Sequence, residues 1–277
     1  MFKKLNLTSL ANDPEAPKLF SKPGVVMLYL GIVGVFFALQ LLGIYLFAPV
    51  VFDDFILTTL ERFGKGSFDG TVTSYSMIFT LITLLSIIFG IIKWRLASVS
   101  DQINSSKLGE ITEPFSKTSY KVSDYLALRP FPLYVAMGFI GLWLLFTIGT
   151  ETLTYILDKN PTAFVDDLYD SVHPKWLLII AMVIVAPIYE EVMFRGILWR
   201  AVKEQFDGTK GFWMATIVTS VLFSIIHLQY EFYEMSVVFV LALLLSFARA
   251  KSGSLYLPIL IHMINNGIAM WMYLIIS

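Results

Sequence analysis

Two adjacent carboxylates, an arginine and two histidines stand in apolar stretches of this chain, where ionised groups are costly and mark functional sites by default. The first cluster reads Ala186-Pro187-Ile188-Tyr189-Glu190-Glu191-Val192-Met193-Phe194-Arg195-Gly196. Glu191 and Arg195 are four residues apart, so on a helix they share a face and pair. Glu190 lies about 100° around that helix and faces elsewhere. One carboxylate neutralised by arginine leaves its neighbour poised for chemistry. Pro187 lacks an N–H, so it frees a carbonyl near Met182 or Ile184 and kinks the helix. The alternative is a span that ends at Tyr189 with the charges among lipid head groups. Val192, Met193, Phe194, Ile197, Leu198 and Trp199 argue against it, because they continue the apolar pattern.

Further on, Phe223 and His227 are four apart, as are His262 and Asn266, with Asn265 beside the latter. The third histidine, His173, lies next to Pro174 in an acidic stretch. Heights bring the clusters level. Glu190 is 18 residues before Gly208 and His227 is 19 after it, so a hairpin turning at 207–210 places both about 27 Å from the turn. His262 is 9 residues past Gly253, roughly 13 Å, and reaches the same plane if the first hairpin protrudes. Three helices then converge Glu190, Glu191, His227, His262 and Asn266. Such a set supports two schemes. Glu190, His227 and His262 form a three-ligand site for zinc or another divalent metal, with an open position for water. Alternatively, Glu190 with His227 activates water while His262 and Asn266 donate to an oxyanion, with no metal. Both hydrolyse an amide, and both stay open at this point.

The elements that must hold these residues follow from composition. Of 277 residues, 57% are apolar and only 15% charged, against roughly 25% charged in a soluble domain. That excludes intrinsic disorder and argues against a soluble enzyme. The net charge of -1 gives no field for nucleic acid. With no cysteine, disulfides, thiol nucleophiles and Cys-ligated metals are excluded.

Runs free of Asp, Glu, Lys and Arg cover 23–52, 70–92, 130–150, 176–189, 211–230, 235–248 and 252–277. Spanning the hydrocarbon takes about 20 apolar residues, and backbone in lipid must bond internally, so these are helices. The expected fold is an all-α polytopic membrane bundle of seven to eight transmembrane helices. Residues 1–22 read as a cytoplasmic tail and not a cleaved signal, since the apolar run after them is too long for one. Residues 23–175 supply N-terminal membrane helices with a polar loop at 93–129. Residues 176–277 form the catalytic helix set, all within one membrane domain. With the N-terminus inside, inner segments carry fifteen Lys or Arg and outer ones four, Arg195 aside. Seven spans put the C-terminus outside, and an eighth would reverse it.

The motifs resemble those of the CAAX prenyl protease and bacteriocin-processing (Abi) family of intramembrane proteases. Glu190, Glu191 and Arg195 match its Glu-Glu-x-x-x-Arg motif, with Pro187, Phe194 and Gly196 in keeping. Phe223 and His227 match Phe-x-x-x-His. His262 and Asn266 match His-x-x-x-Asn, preceded by Ser254, Leu255 and Pro258. The likeness covers about 176–277. It implies a membrane endopeptidase open toward the cytoplasm. Glu190 would be the catalytic carboxylate, supported by Glu191 and Arg195, and His227, His262 and Asn266 would complete the site. The family is described both as metallo-dependent and as glutamate-dependent. Expected partners are membrane lipid and a peptide or protein substrate, including a lipid-anchored one, with no nucleic acid. A bacterial inner membrane is the expected location. The competing readings are a non-catalytic immunity or scaffold protein and an ion- or proton-coupled transporter. No inverted repeat supports the transporter.

Overall fold

The computed structural model describes residues 17–107, 120–159 and 163–276. It is all-helical, with no strand among the described residues. In chain order the helices are α1 Lys22–Val51, α2 Thr59–Gly66, α3 Gly70–Lys107, α4 Val122–Tyr125, α5 Leu133–Ile156, α6 Ala163–Ser171, α7 Lys175–Lys203, α8 Gly208–Ile225, α9 Phe232–Ser252 and α10 Tyr256–Ile276. Six of them (α1, α3, α5, α7, α9 and α10) are long and apolar enough to cross a membrane. The chain is an integral membrane protein.

The helix that carries the carboxylates is the central one. In its apolar window α7 is 67% buried, against 11% for α5 and 28% for α1, whose large side chains face outward as lipid-facing helices require. Its core partners include Phe36 from α1, Leu84 and Ile88 from α3, and Phe212 and Phe223 from α8. A second core joins Ala136 and Trp143 of α5 to Leu245 of α9 and Ile261 of α10. The α1–α3 pair closes on a small residue. A Cβ at Gly43 would stand 2.3 Å from the Ser76 hydroxyl, so only glycine allows this approach.

Two expectations change. The run 211–230 is not one span: α8 has 18 residues, rising about 27 Å, and gives way to a turn after Ile225. Second, residues 93–107 are not loop. They extend α3 as helix beyond its apolar run, with Leu96 buried and Arg95 stacked over Phe20. Residues 108–119 of the expected 93–129 loop lie outside the described residues. The rest of it is structural, since Ala127 accepts from the Leu255 amide and Arg129 Nε donates to the Gly253 carbonyl at 2.6 Å. These bonds clamp the α9–α10 turn, where Gly253 adopts φ +64°, a left-handed helix stop.

The described end of the expected N-terminal tail is held to the bundle. Residues 1–16 lie outside the described residues, but Leu19 is buried and both it and Phe20 donate their amides to Glu204 Oε1 at 3.1 Å. Arg95 donates to the Leu19 carbonyl and Gln205 to the Phe20 carbonyl.

Candidate active site

Helix α7 is not uniformly α-helical. Two π-helical stretches, Ala181–Val185 and Val192–Leu198, flank the α-helical turn Ala186–Glu191 that holds the carboxylates. Such wide turns are rare and concentrate at functional sites. Pro187 explains part of the first one. In π register Ala186 donates to the Ala181 carbonyl, five residues back, so the next donor would serve Met182. Proline has none to give. The Met182 carbonyl is instead taken by Asn266 Nδ2 of α10 at 3.0 Å. Of the two carbonyl positions read from the sequence, Met182 is the one that α10 uses.

The carboxylates then divide as their helical spacing requires. Glu191 and Arg195 are fully buried and paired, with Arg195 Nη1 donating to Glu191 Oε1 at 2.8 Å. The guanidinium also lies over the Phe223 ring, 4.3 Å from its centroid, and Nη2 donates to the Ala242 carbonyl of α9 at 3.1 Å. The charges are thus inside the bundle, not in head groups. His262 Nδ1 donates to the same Glu191 Oε1 at 2.9 Å. Its Nε2 stands 3.7 Å from Glu190 Oε2, beyond hydrogen-bond range. Glu190 Oε2 is buried without a protein hydrogen-bond partner.

His227 is half-buried in the turn after α8, not within a spanning helix as the apolar run suggested. Its Nδ1 lies 2.7 Å from the Phe223 carbonyl, and a carbonyl only accepts, so Nδ1 carries the proton and Nε2 keeps its lone pair in the neutral ring. Its ring stacks on Tyr230, the planes within 7°. Phe223 is the hub of the group, with centroid distances of 5.0 Å to Phe194, 4.8 Å to His227 and 5.8 Å to His262. The hairpin register read from chain lengths therefore agrees with the packing, because Phe194 and Phe223 meet side by side.

Among the described residues no group of three or more Asp, Glu and His side chains is arranged to hold a metal ion. His227 is held through Nδ1 by its own helix end and His262 through Nδ1 by Glu191, which leaves Nε2 of each ring without a hydrogen bond to the protein.

The sequence reading missed Trp143 and Glu234. Trp143 Nε1 donates to Asn265 Oδ1 at 3.1 Å, and Asn265 Nδ2 donates to Asn266 Oδ1 at 3.3 Å. Glu234, in the first turn of α9, is buried with Oε2 unpartnered. Nothing in their spacing marks them, since each is a lone polar group whose partner lies on another helix.

Residues 172–268 match the model of the type II CAAX prenyl endopeptidase Rce1-like family. This stretch holds every motif residue, from Glu190 to Asn266. The chain is 36% identical over 88 residues to an uncharacterised 24.3 kDa protein of Escherichia coli, covering 31% of this chain and 40% of that protein. It is 33% identical over 126 residues to the UPF0177 protein YbdI of Lactococcus lactis, covering 43% and 61%. The membrane-embedded CAAX protease MroQ of Staphylococcus aureus is 34% identical over 89 residues, covering 30% and 34%. The chain thus spans less than two thirds of each of these relatives. No solved structure matches at a significant level.

Proposed function

We propose that this chain is an intramembrane endopeptidase that hydrolyses a peptide bond of a membrane-associated protein or peptide by a glutamate-activated water. One observation carries the reading. Glu190 is a buried carboxylate whose Oε2 has no protein partner and which no Lys or Arg pairs, beside Glu191, whose Oε1 receives both Arg195 and His262 while its Oε2 is likewise unbonded. Such a group keeps its lone pairs for a substrate or a nucleophile, and an unsatisfied buried carboxylate is otherwise hard to explain. The family match over 172–268 and the likeness to a protein named a CAAX protease support the same reaction class.

The chemistry follows from the donors and acceptors. Water donates one proton toward Glu190 Oε2 and is oriented by the lone pair on His227 Nε2. Glu190 takes the proton as the water oxygen bonds to the scissile carbonyl carbon. Asn266 spends one amide N–H on the Met182 carbonyl, so its second is left to meet the developing oxyanion. Glu190 then returns its proton to the departing nitrogen as the C–N bond breaks. His262 ties α10 to the Glu191–Arg195 pair of α7 and holds the two helices in register.

The Lys and Arg of 1–22 and 93–129, against the fewer in 53–69 and 151–175, support a cytoplasmic N-terminus, and the likeness to bacterial proteins supports a bacterial inner membrane. The test is hydrolysis of a pool of quenched fluorescent peptides, half carrying a thioether-linked lipid, by the protein in nanodiscs. The wild type should cleave members of the pool and Glu190→Gln should cleave none. A folded wild type that binds these peptides without cleaving any would overturn the enzyme reading and favour the non-catalytic scaffold or immunity role.

A further inference from the structure

Helix α5 lies mostly toward lipid, and Ala136 and Trp143 are its two buried residues among those described. Trp143 sits ten residues from the start of this spanning helix, about 15 Å along its axis. An indole N–H at that depth is costly unless bonded, so apolar packing alone would be served as well by phenylalanine. Its N–H is spent on Asn265 Oδ1, and the chain continues from Asn265 Nδ2 to Asn266 Oδ1 and from Asn266 Nδ2 to the Met182 carbonyl.

The polarity of this chain is fixed at both ends. An indole N–H only donates and a backbone carbonyl only accepts. Trp143 therefore compels Asn265 to present oxygen to α5 and nitrogen to Asn266. Asn266 must then accept from Asn265 and direct its NH2 group at α7. Without the donor at the far end, only the Met182 carbonyl sets the sense of the two amides, and an Asn265 turned to other partners would face its oxygen to the oxygen of Asn266 and weaken that hold. We propose that Trp143 is a positioning residue for the peptidase site, acting through Asn265 to hold the Asn266 amide with its N–H side toward the carboxylate helix. This rests on the peptidase reading of the site. It also assigns a role in the site to α5, which lies outside the segment matched by the family.

The test uses the full chain in nanodiscs and the fluorescent lipopeptide or peptide that the wild type cleaves best. Trp143→Phe keeps the ring in its slot and removes only the donor. Its kcat should fall about tenfold with KM within twofold, because orientation and not binding is lost. In an Asn265→Leu background the same substitution should change kcat less than twofold, since the link is already cut. A purely structural tryptophan would instead lower the melting temperature and leave kcat of the folded fraction untouched. Separately, the indole 15N–1H resonance of Trp143, assigned by its loss in Trp143→Phe, should shift in Asn266→Ala. A Trp143→Phe enzyme with kcat within twofold of wild type, or effects that multiply with Asn265→Leu, overturns the proposal. If the wild type cleaves no peptide, the proposal falls with the enzyme reading. An indole resonance that still responds to Asn266→Ala then places the failure in the chemistry and not in the hydrogen-bond chain.

Discussion

Glu191 and His262, 71 residues apart in sequence, are joined by a 2.9 Å hydrogen bond on the same oxygen that receives Arg195. The i,i+4 ion pair of α7 is thereby the centre of a network and not a local helix contact. Arg195 reaches the α9 backbone at Ala242 and covers Phe223 of α8, while His262 brings in α10. One buried ion pair ties four helices together, which makes it the point where stability and site geometry are coupled.

Removing the cation should therefore cost more than a surface pair would. Arg195→Met leaves Glu191 as a buried, uncompensated charge, at a cost of roughly 3–5 kcal/mol. The melting temperature in detergent should drop sharply, and activity with it. Adding Glu191→Leu should recover most of the stability but none of the activity. Wild-type melting in the single variant would show that the pair is solvated.

Glu190 should show the opposite trade. Its Oε2 has no protein partner, and an unsatisfied buried polar group costs about 1–3 kcal/mol or more. Glu190→Gln should melt at or above the wild-type temperature while losing about 10²–10⁴-fold in turnover, the usual contribution of a general base. A variant less stable than the wild type would mean that the carboxylate is structural.

The Pro187–Met182–Asn266 arrangement invites a double-mutant cycle. Asn266→Ala leaves the Met182 carbonyl unpaired and should cost about 1–3 kcal/mol. Pro187→Ala supplies a backbone N–H that serves this carbonyl from within α7. In that background Asn266→Ala should cost less than half as much, read from urea or thermal unfolding in mixed micelles. Strict additivity would falsify the link.

At the end of α7, the Glu204 carboxyl is pushed up to about 7 by burial, against the lowering pull of the Phe20 and Leu19 amides, of Arg200 and of the Tyr125 hydroxyl. Its folded value lies above the ordinary 4.5, so the folded state holds the proton more tightly. Its contribution to stability is complete below about 4.5 and is lost as pH rises through about 7. Each tenfold difference in proton affinity between the folded and unfolded chain is worth about 1.4 kcal/mol, which sets the ceiling on that loss. The melting temperature of the wild type minus that of Glu204→Gln should fall as pH rises from about 5 to about 8. A difference independent of pH would show that Glu204 titrates normally.

Much of this protein is legible in its sequence because lipid imposes strong rules. The charge-free runs are helices since backbone in hydrocarbon has no other way to satisfy itself. Each of Glu190, Glu191, Arg195, His227 and His262 stands out because charge is expensive there. The pairing of Glu191 with Arg195 is local, set by helical spacing alone, and the structure has it. Chain lengths also fixed the hairpin register that sets Phe194 beside Phe223.

What tertiary structure decided depends on groups far apart in the chain. The turn that ends α8 before His227, the tilt of His262 onto Glu191 and the capture of the Met182 carbonyl by Asn266 each need a partner from another helix. Trp143 illustrates the limit. In an apolar run it reads as one more lipid-facing aromatic, and only packing of α5 against α10 gives its N–H an acceptor. Sequence periodicity reports the face of a helix. Which oxygen a donor meets is set by how the helices pack, and that information is not local.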